Sequence, residues 1–88
     1  MSWTVAYDPR VAKDLRGIAP EIQLEILEYL ENRIAGSEDP RKHGKPLRFG
    51  RCGLWRYLVR DYRILCELQS DKLIVLVVTI AHRSTVYR

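Results

Sequence analysis

Residues 54 to 69 alternate in side-chain character so regularly that few backbone conformations suit them. Trp55, Tyr57 and Val59 alternate with Arg56, Leu58 and Arg60, and after Asp61 the pattern resumes as Tyr62, Ile64, Cys66 and Leu68 against Arg63, Leu65 and Glu67. A period of two belongs to half-buried strands, whose successive side chains point to opposite faces. Arg60-Asp61 is short enough to join the two runs as a hairpin with one apolar and one basic face. Arg56 and Arg63 are then expected on the same face of neighbouring strands. Two guanidiniums so placed repel each other unless an anion lies between them, and phosphate is the anion that the planar guanidinium fork matches best. Nucleic acid or a phosphorylated ligand is the first functional expectation.

The residues before the hairpin supply cover for its apolar face. Ser2 to Tyr7 alternates Trp3, Val5 and Tyr7 with small or polar residues, as a first strand does. Asp8-Pro9 is an N-terminal helix signal, and Val11, Leu15 and Ile18 follow at helical spacing, predicting a helix to about Arg16 that ends at Gly17. Pro20 starts a second helix with an apolar stripe of Ile22, Ile26, Leu27, Leu30 and Ile34 opposite Glu21, Glu25, Glu28 and Glu31; Gly36 closes it.

Ser37 to Pro46, with two prolines and a glycine, reads as a loop that carries no core. Leu47 to Phe49 reads as a short strand, Gly50 to Gly53 and Ser70-Asp71 as turns, and Leu73 to Ala81 as the most apolar strand. Ser84 is placed to cap a last helical turn that includes Val86. The expected fold class is α+β: two N-terminal helices, an αα-hairpin, packed on one face of a small, mainly antiparallel four- to five-stranded sheet. At 88 residues the chain is expected to be a single domain over 1–88. Its core should hold Leu15, Ile26, Leu30, Ile64, Val78 and Ile80. The other sheet face should be open and basic, with Arg56, Arg63 and, at the end of the last strand, Arg83.

The net charge of +4 hides a sharper division. Residues 1–39 hold four Lys/Arg and eight Asp/Glu, whereas residues 40–88 hold eleven and three. A strongly basic half made of strands implies a polyanionic partner. Cys52 and Cys66, in a chain without a leading apolar signal segment, read as reduced thiols of a cytoplasmic protein, Cys66 buried. The apolar run from Leu73 falls far short of the ~20 residues of a membrane helix, so no membrane partner is expected. His43, Cys52, Cys66 and His82 show no metal-ligand spacing, and neither metal nor other cofactor is expected.

In order along the chain, strand, αα-hairpin, the run His43-Gly44-Lys45-Pro46-Leu47, the run from Gly53 to Ile64, a Val-rich strand and the terminal His82 to Arg88 resemble the RelE side of the RelE/ParE toxin superfamily. The specific parts are Trp55-Arg56-Tyr57, Asp61-Tyr62-Arg63-Ile64 and His82-Arg83 with Val86-Tyr87-Arg88. The resemblance spans nearly the whole chain. It implies a toxin of a type II toxin–antitoxin pair that cuts messenger RNA on the ribosome, leaving a 2′,3′-cyclic phosphate and a 5′-hydroxyl. The partners it implies are a cognate antitoxin, encoded adjacently, and the ribosome with its messenger RNA.

Carried over residue by residue, the resemblance makes Arg56, Arg63, Arg83 and Tyr87 the catalytic set, and Lys45, Arg48 and Arg56 the RNA contacts. One position departs: where RelE has a second lysine, this chain has Leu58. Attack by a 2′-hydroxyl needs a base, a stabilised oxyanion and a proton for the leaving oxygen. The arginines serve the second need. The base is left to Tyr87, His82 or ribosomal RNA, and strand alternation puts His82 on the face opposite Arg83. Two other functions stay open: a ParE-like inhibitor of DNA gyrase, and an RNA-binding toxin-like module without strong catalysis.

Overall fold

The structure, a computed structural model, describes residues 2–47 and 53–84. Its elements are β1 (Thr4–Tyr7), α1 (Arg10–Arg16), α2 (Pro20–Glu28), β2 (Lys45–Pro46), β3 (Leu54–Val59), β4 (Tyr62–Gln69) and β5 (Ile74–His82). α2 continues directly into a π-helical turn, Tyr29–Ile34, and a 3₁₀ turn, Pro40–His43, precedes β2. The five strands form one sheet in the order β1-β5-β4-β3-β2. β1 runs parallel to β5 and the other pairs are antiparallel. This is the expected α+β arrangement, with one parallel pair in a mainly antiparallel sheet.

The helices cover one face. Asp8 takes the N-terminal role expected of it: its Oδ1 accepts from the backbone N–H of Arg10 at 2.9 Å. The side-chain and backbone hydrogen bonds from Arg10 hold the Asp8 carboxyl below the usual carboxylate range. The turn between the helices is tied by Gln23, whose Nε2 donates to the carbonyls of Leu15 and Ile18, both at 2.7 Å. The stripe of α2 and its π-helical extension then delivers Ile26, Leu30 and Ile34 into a core with Val11, Ile18 and Trp3. From the sheet come Tyr57, Val59, Ile64, Cys66, Val75, Val77 and Ile80. Burial pushes the Cys66 thiol far above its ordinary range, which keeps it protonated and unreactive.

Three expectations are corrected. Val78 is not a core residue, because β5 carries a bulge. Leu65 pairs with Thr79 and Cys66 with Val77, which leaves Val78 as the extra residue and reverses the strand's phase. Val75 and Val77 face the helices below the bulge and Ile80 above it. Beyond Val77, β1 has ended, and α1 takes over that edge: Asp14 Oδ2 accepts from the Ile80 N–H at 3.1 Å. Second, the polar loop does contribute to the core, since Pro40 is fully buried. The short strand beside the hairpin begins at Lys45–Pro46, and the Leu47 N–H still donates to the Leu54 carbonyl at 3.0 Å; Arg48 and Phe49, also expected in that strand, lie outside the described residues. Third, Leu15, expected in the core, packs against it while only partly buried.

The bulge makes a direct prediction. Val77→Ala should destabilise by roughly 2 kcal/mol, through reduced burial plus a cavity, and Val78→Ala by less than about 1 kcal/mol. Equal costs in urea denaturation would show that the phase reversal is absent.

Candidate nucleic-acid interface

Strand alternation sends Tyr57 and Val59 into the core, so Arg56 and Leu58 project from the face the helices leave open. Register aligns the cations there. Lys45 on β2 lies opposite Arg56 on β3, Arg56 opposite Leu65, and Arg63 on β4 opposite Leu58 on one side and Ala81 on the other. Lys45, Arg56 and Arg63 therefore occupy three consecutive strands of one face, with Arg56 and Arg63 diagonal rather than directly paired. Leu65 is buried on this same face, flanked by Arg56 and Thr79.

The 3₁₀ turn is fastened beside these strands. Tyr57 buries its ring and donates its hydroxyl to the Pro40 carbonyl at 2.9 Å. Burial raises the Tyr57 pKa far beyond the usual phenol range, so the hydroxyl keeps the proton it donates. Asp39 Oδ1 accepts from the Arg41 N–H at 3.1 Å, and the Arg41 guanidinium lies 6.0 Å from the centre of the Trp3 ring. Gly44 follows, where a Cβ would sit 2.6 Å from the Arg56 carbonyl oxygen and 2.7 Å from the Tyr57 ring. Only glycine lets the turn come this close. The result is a groove of about 300 Å³ lined by Lys42, His43, Gly44, Lys45, Arg56 and Leu58.

Tyr57→Phe is a measure of that fastening. It removes one buried hydrogen bond and leaves a buried carbonyl without its donor, which should cost about 1 to 3 kcal/mol. Denaturant unfolding checks it, and an unchanged midpoint would mean the turn is held by other interactions.

At the hairpin tip the charges separate. Arg60, with φ of 53°, turns its side chain back to pair with Glu25 on α2, so it is engaged with the helix layer rather than merely solvated. Arg83 follows β5 on the other side of the tip: its N–H donates to the Asp61 carbonyl at 2.7 Å, and its Nε stands 3.6 Å from Asp61 Oδ1. His82 is paired with Tyr62, whose ring it meets edge-on with centroids 5.4 Å apart. Tyr62 packs against the core, so His82 stands at the sheet end on the helix side, away from Arg56 and Arg63. The Ser84 N–H lies 3.2 Å and the Ser84 hydroxyl 2.7 Å from His82 Nδ1, so the ring is engaged with the turn that follows β5.

Of the residues singled out by sequence, Lys45, Arg56 and Arg63 share one face, Arg83 stands at the hairpin tip and His82 is on the far side. Arg48 and Tyr87 lie outside the described residues. Lys42 and His43 join this surface although sequence reasoning misses them. Besides the place of His43 in the run that resembles RelE, their sequence signal is the bracket of Pro40 and Gly44, which marks an ordered turn more readily than a site. Among the described residues no three His, Cys, Asp or Glu side chains cluster as metal ligands, and no helix is long and apolar enough to cross a membrane.

The profile of the ParE toxin of type II toxin–antitoxin systems, parDE, matches residues 5–87. The chain belongs to the ParE toxin family. Within the wider RelE/ParE superfamily, this ParE-family toxin is 27% identical to Toxin RelG of Mycobacterium tuberculosis over 88 residues, covering 100% of this chain and 99% of the relative. Its fold matches the toxin–antitoxin complex RelBE2 of M. tuberculosis with a TM-score of 0.85 at 24% identity, over 94% of this chain and 100% of the other. The archaeal RelE–RelB complex of Pyrococcus horikoshii matches with a TM-score of 0.75 at 19% identity, over 98% and 100% of the two chains. The protein is thus a type II toxin of the RelE/ParE superfamily.

Proposed function

We propose that this ParE-family toxin is a ribosome-dependent endoribonuclease that inhibits translation by cutting messenger RNA. The observation that carries this reading is the alignment of Lys45, Arg56 and Arg63 on consecutive strands of one open face. Such a row follows an RNA backbone, each guanidinium offering paired N–H donors to a phosphate. The 2′-hydroxyl attacks the adjacent phosphorus and the bond to the 5′-oxygen breaks, giving a 2′,3′-cyclic phosphate and a 5′-hydroxyl. Arg56 and Arg63 hold the phosphate as charge builds on it, and Arg83 reaches it from the hairpin tip. Arginine stays charged and is a poor base, and His82 faces the other way, so the proton of the attacking hydroxyl goes to Tyr87 as its phenolate or to ribosomal RNA, and that acceptor, now protonated, or a water returns a proton to the leaving 5′-oxygen.

An active toxin requires restraint. The solved relatives include complexes of toxin with antitoxin, which supports a cognate antitoxin for this chain. An apolar groove of about 270 Å³ along Tyr7, Val11, Ala12, Leu15 and Leu27, with Leu24 exposed nearby, offers such a segment an anchor on the helix side.

The test is translation on purified ribosomes beside a gyrase supercoiling assay. Cut messenger RNA with intact supercoiling supports the nuclease; the reverse would establish gyrase inhibition, the reading that the ParE profile keeps open.

Asp61 supplies a finer check. Its ion pair with Arg83 is long and exposed on both sides, with side chains 70% and 57% accessible. Such pairs contribute ~0 to 1 kcal/mol, whereas a preorganised donor to a reacting phosphate is worth ~10² to 10³ in rate. Asp61→Ala should therefore change cleavage by less than about fivefold. Arg83→Ala should slow it by ~10²-fold. Equal losses in single-turnover cleavage would mean that Asp61, not phosphate, dictates the arginine's working position.

A further inference from the structure

The groove between the 3₁₀ turn and β3 shares Lys45 and Arg56 with the cationic row above, but the turn that forms its other wall, with Lys42 and His43, has no role in the bond-breaking step. Three cations, Lys42, Lys45 and Arg56, and one imidazole, His43, line it, and no carboxylate lines it among the described residues. Its remaining side chain is Leu58, 57% exposed, the one large exposed apolar residue on this face among the described residues; Tyr7 and Leu24 are elsewhere. Leu58 stands more than half in water, beside Arg56 and opposite Arg63. It gains if a ligand with both an apolar face and an anionic group covers it. A volume of about 300 Å³ is at the lower limit of small-molecule pockets, which run from ~300 to 1,000 Å³, and fits one nucleotide.

We infer that this groove is a subsite for one nucleotide flanking the cleaved bond, its phosphate held by Lys42, His43 and Lys45 and its base laid on Leu58. The inference rests on the RNA-cleaving reading and assigns that site its neighbour. Rigidity suits the role. Pro40 is buried, Tyr57 bonds the Pro40 carbonyl, and Gly44 lies against the β3 backbone, so Lys42 and His43 are presented from a turn already in place. Little ordering is then left to oppose binding.

The experiment measures binding apart from chemistry. Full-length toxin is titrated onto ribosomes carrying messenger RNA with a 2′-deoxy sugar at the cleaved position, across a series of salt concentrations. Single-turnover cleavage of the matching all-ribose message is followed in parallel. Lys42→Ala with His43→Ala should weaken binding roughly tenfold and lower the salt slope by about 0.7 for each phosphate no longer neutralised, with the saturating cleavage rate within about twofold of wild type. Leu58→Ala should weaken binding about threefold with the slope unchanged. An abasic nucleotide at one position beside the cleaved bond should abolish that difference.

Wild-type affinity and slope in the turn variant, with cleavage intact, would overturn the inference. So would loss of antitoxin affinity in that variant with RNA binding unchanged, which would make the groove a protein-docking site. If wild type binds the message with the expected dependence on Lys42 and His43 but never cuts it, the groove stands as a nucleotide-binding site, while its place beside a cleaved bond falls together with the nuclease reading.

Discussion

Arg63→Ala is expected to slow single-turnover cleavage of ribosome-bound messenger RNA by about 10² to 10³-fold, with Tm within about 4 °C of wild type. The two halves of this expectation come from different features. Arg63 sits in β4, the middle strand, with β3 and β5 hydrogen-bonded on its two sides, so its backbone is fixed whatever side chain it carries. Its side chain leaves the sheet on the face opposite Ile64, which is fully buried. Truncation removes a positioned charge without opening the core. Loss of cleavage together with a large loss of stability would make Arg63 a structural residue. Unchanged cleavage would remove it from the site.

Leu30→Ala is the largest expected effect on stability, about 2 to 5 kcal/mol. Leu30 is fully buried where α2 has become a π-helical turn, and the Ala35 N–H reaches back to its carbonyl at 2.9 Å. The same turn is tied to β1 by the Trp3 N–H on the Ala35 carbonyl at 3.2 Å and by the Tyr7 hydroxyl on Glu31 at 2.8 Å. Anchored from both sides, it is poorly able to collapse into the vacated space, which favours the upper part of the range. The loss is a large fraction of the ~5 to 15 kcal/mol that holds an ordinary domain. Leu24→Ala, at an exposed position of α2, is the control and should cost less than about 0.5 kcal/mol. Chemical denaturation of both variants, read by circular dichroism, decides the matter.

What sequence alone reveals follows from where the pattern is unambiguous. From 54 to 69 charged residues interrupt the apolar ones, and Arg56 and Arg63 each stand between apolar or aromatic neighbours, so both the hairpin and the face of these two arginines can be assigned. From Leu73 to Ala81 nearly every residue is apolar, and a uniform run carries no phase. The bulge at Val78 is invisible there, and nothing in the run favours Val77 over Val78 for the core. The groove is hidden for another reason. It depends on Tyr57 bonding Pro40 and on Gly44 fitting against Arg56, contacts between segments that sequence alone does not bring together. A proline and a glycine in a polar stretch look the same whether the turn they make is buried or loose.

The parallel pairing of β1 with β5 has a consequence for the order of events during synthesis. Thr4 pairs with Ile74 and Tyr7 with Val77, so the first strand to leave the ribosome finds its neighbour only after the last strand has emerged. Until then the sheet lacks both β5 and the backbone partners of β1, and the helices have only part of the surface they cover. Contacts this distant along the chain form late and slowly. A chain built this way cannot complete its sheet until β5 has been made.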